Sequence, residues 1–100
     1  MNKNKAFSYI GLGVKSANVV CGEFMTEKAV KEGKACLVII AEDCSDNTKK
    51  KFTNMCDFYE VPLYVFATKE ELGHAMGKEI RASLAFIDQG LARAVEKQLL

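Results

Sequence analysis

Apolar positions along the chain follow two rhythms in alternation. From Lys3 to Lys15, Phe7, Ile10 and Val14 recur at helical spacing, and Asn2 or Asn4 stands where a cap is needed. Asn18-Val19-Val20-Cys21 reads as a short strand. Gly22 to Glu32 reads as a second helix, ended by Gly33, which accepts the left-handed conformation of a helix terminus. Cys36 to Ala41 is unbroken apolar sequence rich in branched residues, the pattern of a strand buried on both faces. It stops at Glu42-Asp43. Ser45 or Asp43 caps a third helix, with Asp46 suited to the positive end of its dipole and Phe52, Met55, Cys56 and Tyr59 as its apolar stripe. Val61 to Phe66 is a third strand, with Pro62 near its start, where a missing donor is tolerated. Thr68-Lys69-Glu70-Glu71 is a capping box. It opens a helix with Leu72, Ala75 and Met76 on one face, stopped by Gly77. Ser83 to Ile87 is a fourth strand, and Asp88 caps a last helix with Leu91, Ala94, Val95 and Leu99 inward. Alternating helices and strands predict an α/β fold, one small sheet with helices on both faces.

The length of 100 residues suits one compact domain, residues 1–100. The hydrophobic share of 49% and charged share of 27% are those of an ordinary folded soluble protein. The longest apolar runs are too short to span a bilayer, so no membrane association is expected. The basic start is followed by a segment broken by Ser8, Gly11 and Gly13 and is not read as a signal peptide. Net charge is +1, which excludes a strongly basic nucleic-acid coat but leaves room for a local basic patch. The four cysteines form no C-x-x-C pair and His74 is the only histidine. Free thiols in a reducing cytoplasm are therefore expected, with no metal site and no cofactor.

The second helix carries the most information. On a helical wheel Gly22, Thr26, Ala29, Val30 and Gly33 share one face, small enough for close contact with a sheet. Phe24, Lys28 and Lys31 then fall on the opposite face, with Met25 at the flank. An exposed ring beside two ammonium groups suits base stacking and phosphate contact. Shifting the phase by one residue would instead place Phe24 in the core, and a partner or dimer contact is another use of an exposed ring. The helix start also offers unpaired N–H groups to a phosphate, although Glu23 there serves the dipole equally well. In the loop Gly77 to Arg81, Ile80 is either a contact for a partner or an anchor into the core, and Lys78 and Arg81 flank it.

Other candidates are weaker. Lys49-Lys50-Lys51 precedes the inward Phe52 and reads as a solvated face. The segment GLGVKS lacks the spacing and the preceding strand of a phosphate-binding loop. His74 lies opposite the apolar face of its helix and reads as solvent-facing. The carboxylate pairs Glu42-Asp43 and Glu70-Glu71 sit near helix starts, where they serve the dipole. No nucleophile, base and orienting group come together, so no catalytic residue is assigned.

The segments GEFMTEKAVKEGKACLVIIAEDCSDNTKKK and YEVPLYVFATKEELGHAMGK resemble the kink-turn RNA-binding ribosomal protein family of "seven-Ae" and "thirty-e" type, nearest its bacterial YlxQ-like branch. The resemblance runs from about Phe7 to Leu91. It implies a three-layer α/β/α sandwich with a small mixed four-stranded sheet, and recognition of a sharply bent RNA internal loop. Family members open the second helix with G-x-N-E-x-x-K, in which glycine admits the RNA backbone, Asn and Glu read sheared G·A edges, and lysine supports them. A loop after the fourth helix offers an apolar residue to a flipped-out base. Gly22 and Lys28 match this pattern, whereas Phe24 and Met25 stand at the Asn and Glu positions and cannot make those hydrogen bonds.

The expected function is thus non-enzymatic binding of structured RNA, ribosomal or otherwise non-coding, with weakened base-edge readout. Gly22, Phe24, Lys28 and Lys31 form one lip; Ile80 and Arg81 form the other; Met25 lies between, and Lys78 in the same loop as Ile80 joins Arg81 as a phosphate contact. Ribosomal or transcription-associated proteins are further partners to consider. The alternative is an interaction module of those machineries in which the RNA site has decayed and Phe24 and Met25 dock a protein.

Overall fold

A computed structural model describes residues 2–100 of the chain. Five helices and four strands follow one another as α1 (Lys3–Lys15), β1 (Val19–Cys21), α2 (Glu23–Lys31), β2 (Leu37–Ile40), α3 (Asp46–Tyr59), β3 (Leu63–Val65), α4 (Lys69–Ala75), β4 (Ser83–Phe86) and α5 (Gln89–Leu99). The strand order is β1-β4-β2-β3. β4 runs antiparallel to both β1 and β2, and β2 runs parallel to β3. The mixed sheet is the middle of three layers, with α2 and α3 packed side by side on one face and α1 against α5 and α4 on the other.

Local chemistry places the helix starts. Asn2 accepts from the Lys5 N–H (3.0 Å), Ser45 from Thr48 (3.1 Å) and Asp88 from Leu91 (2.9 Å). At α4 the Thr68 hydroxyl accepts from the Glu71 N–H and the Glu71 carboxylate from the Thr68 N–H, the reciprocal capping box the sequence predicts. Among the described residues only α2 starts without a side-chain cap, at Gly22.

The core is built on the two central strands, all eight of whose residues are buried. On β4, Phe86 lies under α1 beside Gly13. Strand alternation therefore turns Ser83 and Ala85 toward the α2 face. There α2 presents Thr26, Ala29 and Val30, all buried, and small residues on both sides let helix and strand approach closely.

Three predictions need correction. The strand from Cys36 to Ala41 is regular only over Leu37–Ile40, the four residues that pair with Ser83–Phe86 of β4; the flanking Cys36 and Ala41 each donate one N–H to this side, to Phe86 O and Ala82 O. The apolar stripe of α3 is buried at Phe52 and Cys56, but Met55 is half-buried and Tyr59 lies exposed at the helix end, edge-on to Phe58. In α5 it is Ala92 rather than Ala94 that is buried with Val95 and Leu99, because the helix is wedged between α1 and β4.

Candidate nucleic-acid interface

The site begins where β1 passes into α2. Gly22 has φ +91° and ψ 159°, a conformation that side chains rarely adopt. Its N–H donates to Ser83 O (2.9 Å), fixing the strand exit. A Cβ there would meet nothing within 4 Å, so the outer side of this backbone lies open. One turn on, the close packing of Thr26, Ala29 and Val30 sets the phase of α2 and turns Phe24 and Met25 out, 75% and 41% exposed. Lys28 and Lys31 lie on the same outer face.

The second component is the turn from Gly77 to Arg81, between α4 and β4. Ile80 is 56% exposed and so is not an anchor into the core. The Arg81 N–H donates to Lys69 O (3.1 Å), and its guanidinium folds back to donate to Ile80 O (2.6 Å). Gly22, Phe24 and Met25 from the first component and Ile80 and Arg81 from the second line one concavity of about 510 Å³. Lys28 and Lys31 border Phe24 in an adjoining hollow on the outer face of α2, and Lys28 also lies beside Met25. Lys78 does not line this concavity. It lines a larger hollow of about 660 Å³ between α1 and α4, among Glu70, Glu71, Glu79 and His74, where the carboxylates would repel a phosphate.

Sequence reasoning missed four lining residues, Cys21, Glu23, Lys69 and Ala82. Lys69, read only as part of the capping box, borders the concavity beside Ile80 and Arg81. Its N–H donates to the Asp43 carboxylate (2.8 Å), which ties α4 to the end of β2. A signal was present in the sequence: a cation on the first residue of a helix opposes the dipole, so its placement there calls for another reason.

The basic run Lys49-Lys50-Lys51 is not uniformly solvated as predicted. Lys51 is half-buried between α2 and α3, paired with Glu27 and with Glu23 (3.4 Å). Glu23 also accepts from the Thr48 hydroxyl (3.2 Å). Lys31 and then Lys51 hold the Glu27 carboxyl below its usual 4.5, and Glu27 in turn raises the Lys51 ammonium. Lys31 bonds Glu27 at 2.7 Å, so its charge is partly neutralised. Lys49 donates to Glu42 O (3.2 Å). The cations bordering Phe24, Met25 and Ile80 without an ion-pair partner are thus Lys28, Lys69 and Arg81 among the described residues.

Among the described residues there is no group of three metal-ligating side chains, and no helix is long and apolar enough to cross a membrane. The four cysteines are free thiols. Burial pushes the Cys56 thiol up to about 11 and also raises Cys36, helped by the nearby Asp88 charge.

Residues 4–96 match the ribosomal protein L7Ae/L30e/S12e/Gadd45 family. The "RNA-binding protein YlxQ" of Bacillus subtilis (strain 168) is 40% identical over 86 residues, covering 86% of each chain. The "large ribosomal subunit protein eL30" of Methanopyrus kandleri is 32% identical over 83 residues, 81% of this chain and 76% of that one. A solved structure from Bacillus halodurans C, described as a protein with unknown function, superposes with a TM-score of 0.92 at 33% identity, covering 95% of this chain and 96% of that one.

Proposed function

The chain belongs to the ribosomal protein L7Ae/L30e/S12e/Gadd45 family, and on that premise we propose that it is a non-enzymatic binder of structured RNA, ribosomal or otherwise non-coding, in the cytoplasm. The observation that carries this reading is the meeting of exposed Phe24, Met25 and Ile80 with Lys69 and Arg81 around one concavity, beside a glycine whose outer side is open. RNA reaches the backbone at Gly22 without meeting a side chain. An unpaired base stacks on Phe24 and packs on Met25, and a second apolar contact comes from Ile80. Lys28, Lys69 and Arg81 take phosphates, while Lys31, held by Glu27, contributes less.

Phe24 and Met25 stand where the kink-turn pattern has Asn and Glu, so two base-edge readers are exchanged for apolar surface. A good base-edge contact discriminates by about 1–3 kcal/mol. Binding is therefore modest in affinity and tolerant of sequence, and a kink-turn is held by its shape rather than by its G·A edges. The name of the 40%-identical Bacillus subtilis relative supports RNA as the ligand. Titration of labelled structured RNAs against the native chain and Lys28→Glu tests the site: a marked loss in the variant is expected, and equal affinities would remove the α2 lip. Pull-down with and without RNase separates the protein-docking alternative, in which partners survive the nuclease.

A further inference from the structure

Gly73 lies in the middle of α4 and is buried. It has no contact with the concavity, yet its surroundings are tighter than those of any other glycine that meets backbone. A Cβ at this position would lie 2.7 Å from the Glu79 carbonyl carbon and 2.9 Å from the Ile80 nitrogen, and closer still to the Glu79 oxygen. Every one of these atoms is main chain, so no side-chain rotation relieves the overlap. The same turn is held to α4 by hydrogen bonds at both ends. The Lys78 N–H donates to Gly73 O (2.7 Å) and the Arg81 N–H to Lys69 O (3.1 Å), with the Gly77 N–H on His74 O (3.1 Å). The peptide pressed on Gly73 is the one that leads directly into Ile80.

We infer that Gly73 is a positioning residue for RNA: its missing side chain lets the Gly77–Arg81 turn lie flat on α4, which presets Ile80 and Arg81 at the distance from Phe24 and Met25 that one ligand spans. The inference rests on the RNA-binding reading above. A methyl group at position 73 forces the Glu79–Ile80 peptide outward by on the order of an ångström. That widens the concavity and leaves the turn without its bond to Gly73 O. Binding then has to restore an arrangement that the native chain holds in advance.

Gly11 supplies a matched control. A Cβ there would lie 3.3 Å from Ala75 O, on the α1 side of α4, so Gly11→Ala strains the same helix without touching the turn. Amide hydrogen exchange and RNA titration are measured for the native chain, Gly73→Ala and Gly11→Ala, well below their melting temperatures. In Gly73→Ala the Lys78 and Arg81 amides lose protection and RNA affinity falls about tenfold, the equivalent of one good base contact; in Gly11→Ala neither change occurs. In a double-mutant cycle, Gly73→Ala costs little further affinity once Ile80→Ala and Arg81→Ala are present, because it acts through them. Retained protection in Gly73→Ala, unchanged affinity, or losses that simply add would each overturn the inference. If Gly73→Ala does not fold, the native chain decides: a preset turn protects the Lys78 and Arg81 amides before RNA is added, and a turn ordered only by RNA refutes it. A native chain that binds no structured RNA defeats the underlying reading instead, and is seen without any variant.

Discussion

Phe24 and Met25 decide what kind of recognition this surface performs. Their exposure follows from neighbours rather than from themselves: Thr26, Ala29 and Val30 are the buried side chains of α2, the ones that fit against β4, and the rest of the wheel follows. That much is legible in sequence, because small residues at helical spacing mark the buried face. Lys31 and Lys51 were not legible in the same way, since their partners are set by where α2 meets α3, and a charge looks free until that meeting is known. If apolar surface has replaced edge readout, then Phe24→Asn with Met25→Glu restores the polar pair of the kink-turn pattern. Competition binding between a kink-turn and an otherwise matched duplex should then show discrimination rising by about 1–3 kcal/mol for each base edge that is read again; an unchanged ratio would mean that these positions do not face the bases. Cys56 gives a check that involves no RNA. Its thiol, raised to about 11 by burial, is on the order of a thousandth ionised at pH 8. Alkylation followed by mass spectrometry should therefore find Cys56 unmodified in the folded chain while half-buried Cys21 reacts.

The pairing of α2 with α3 shows how an interface on the flank of the concavity, joined to it through Glu23, maintains it. Glu23 and Glu27 on α2 converge on Lys51 of α3, and Glu23 also holds Thr48, so the start of α2 is tied sideways as well as down. The titration of this cluster has a definite sign. Glu27 is depressed in the folded chain by Lys31 and Lys51, so its stabilisation is complete above its usual 4.5 and is lost as pH falls through the lower folded value. Lys51 is raised by Glu27 and Glu23, so its share is complete below its usual 10.5 and is lost as pH climbs through the higher folded value. Denaturation followed across pH should show a plateau with a decline at each end, and Glu27→Gln should shallow both declines. Part of the acid decline remains in that variant, because Glu71 is also depressed, by the Thr68 N–H and by Lys3; identical acid limbs with and without Glu27 would show that the cluster is not coupled to folding. Helix starts were readable from sequence because Asn2, Ser45, Thr68 and Asp88 act within three residues of themselves. The ends of β2 and the phase of α5 were not, since the first depends on the four-residue ladder with β4 and the second on the gap between α1 and β4.

A net charge of +1 leaves the molecule with almost no long-range pull on a polyanion. RNA affinity must therefore come from the few cations that border the concavity, and their number sets the salt response. Lys28, Lys69 and Arg81 lack ion-pair partners among the described residues and lie beside the apolar contacts. Three neutralised phosphates give a slope of log K against log salt of about −2 to −3, so raising salt from about 50 to 200 mM should weaken binding by roughly 15- to 60-fold. The two kinds of contact respond differently. Lys28→Gln should reduce the slope by about 1, whereas Phe24→Ala should lower affinity at every salt concentration and leave the slope alone, because stacking releases no counterions. Lys50→Gln, on the outer side of α3 and away from the concavity, should change neither. Fluorescence titrations across salt concentrations read all three variants against the native chain. A slope near zero in the native chain, or a Lys50 effect as large as that of Lys28, would mean that the bound face is not the one where α2 meets the Ile80 turn.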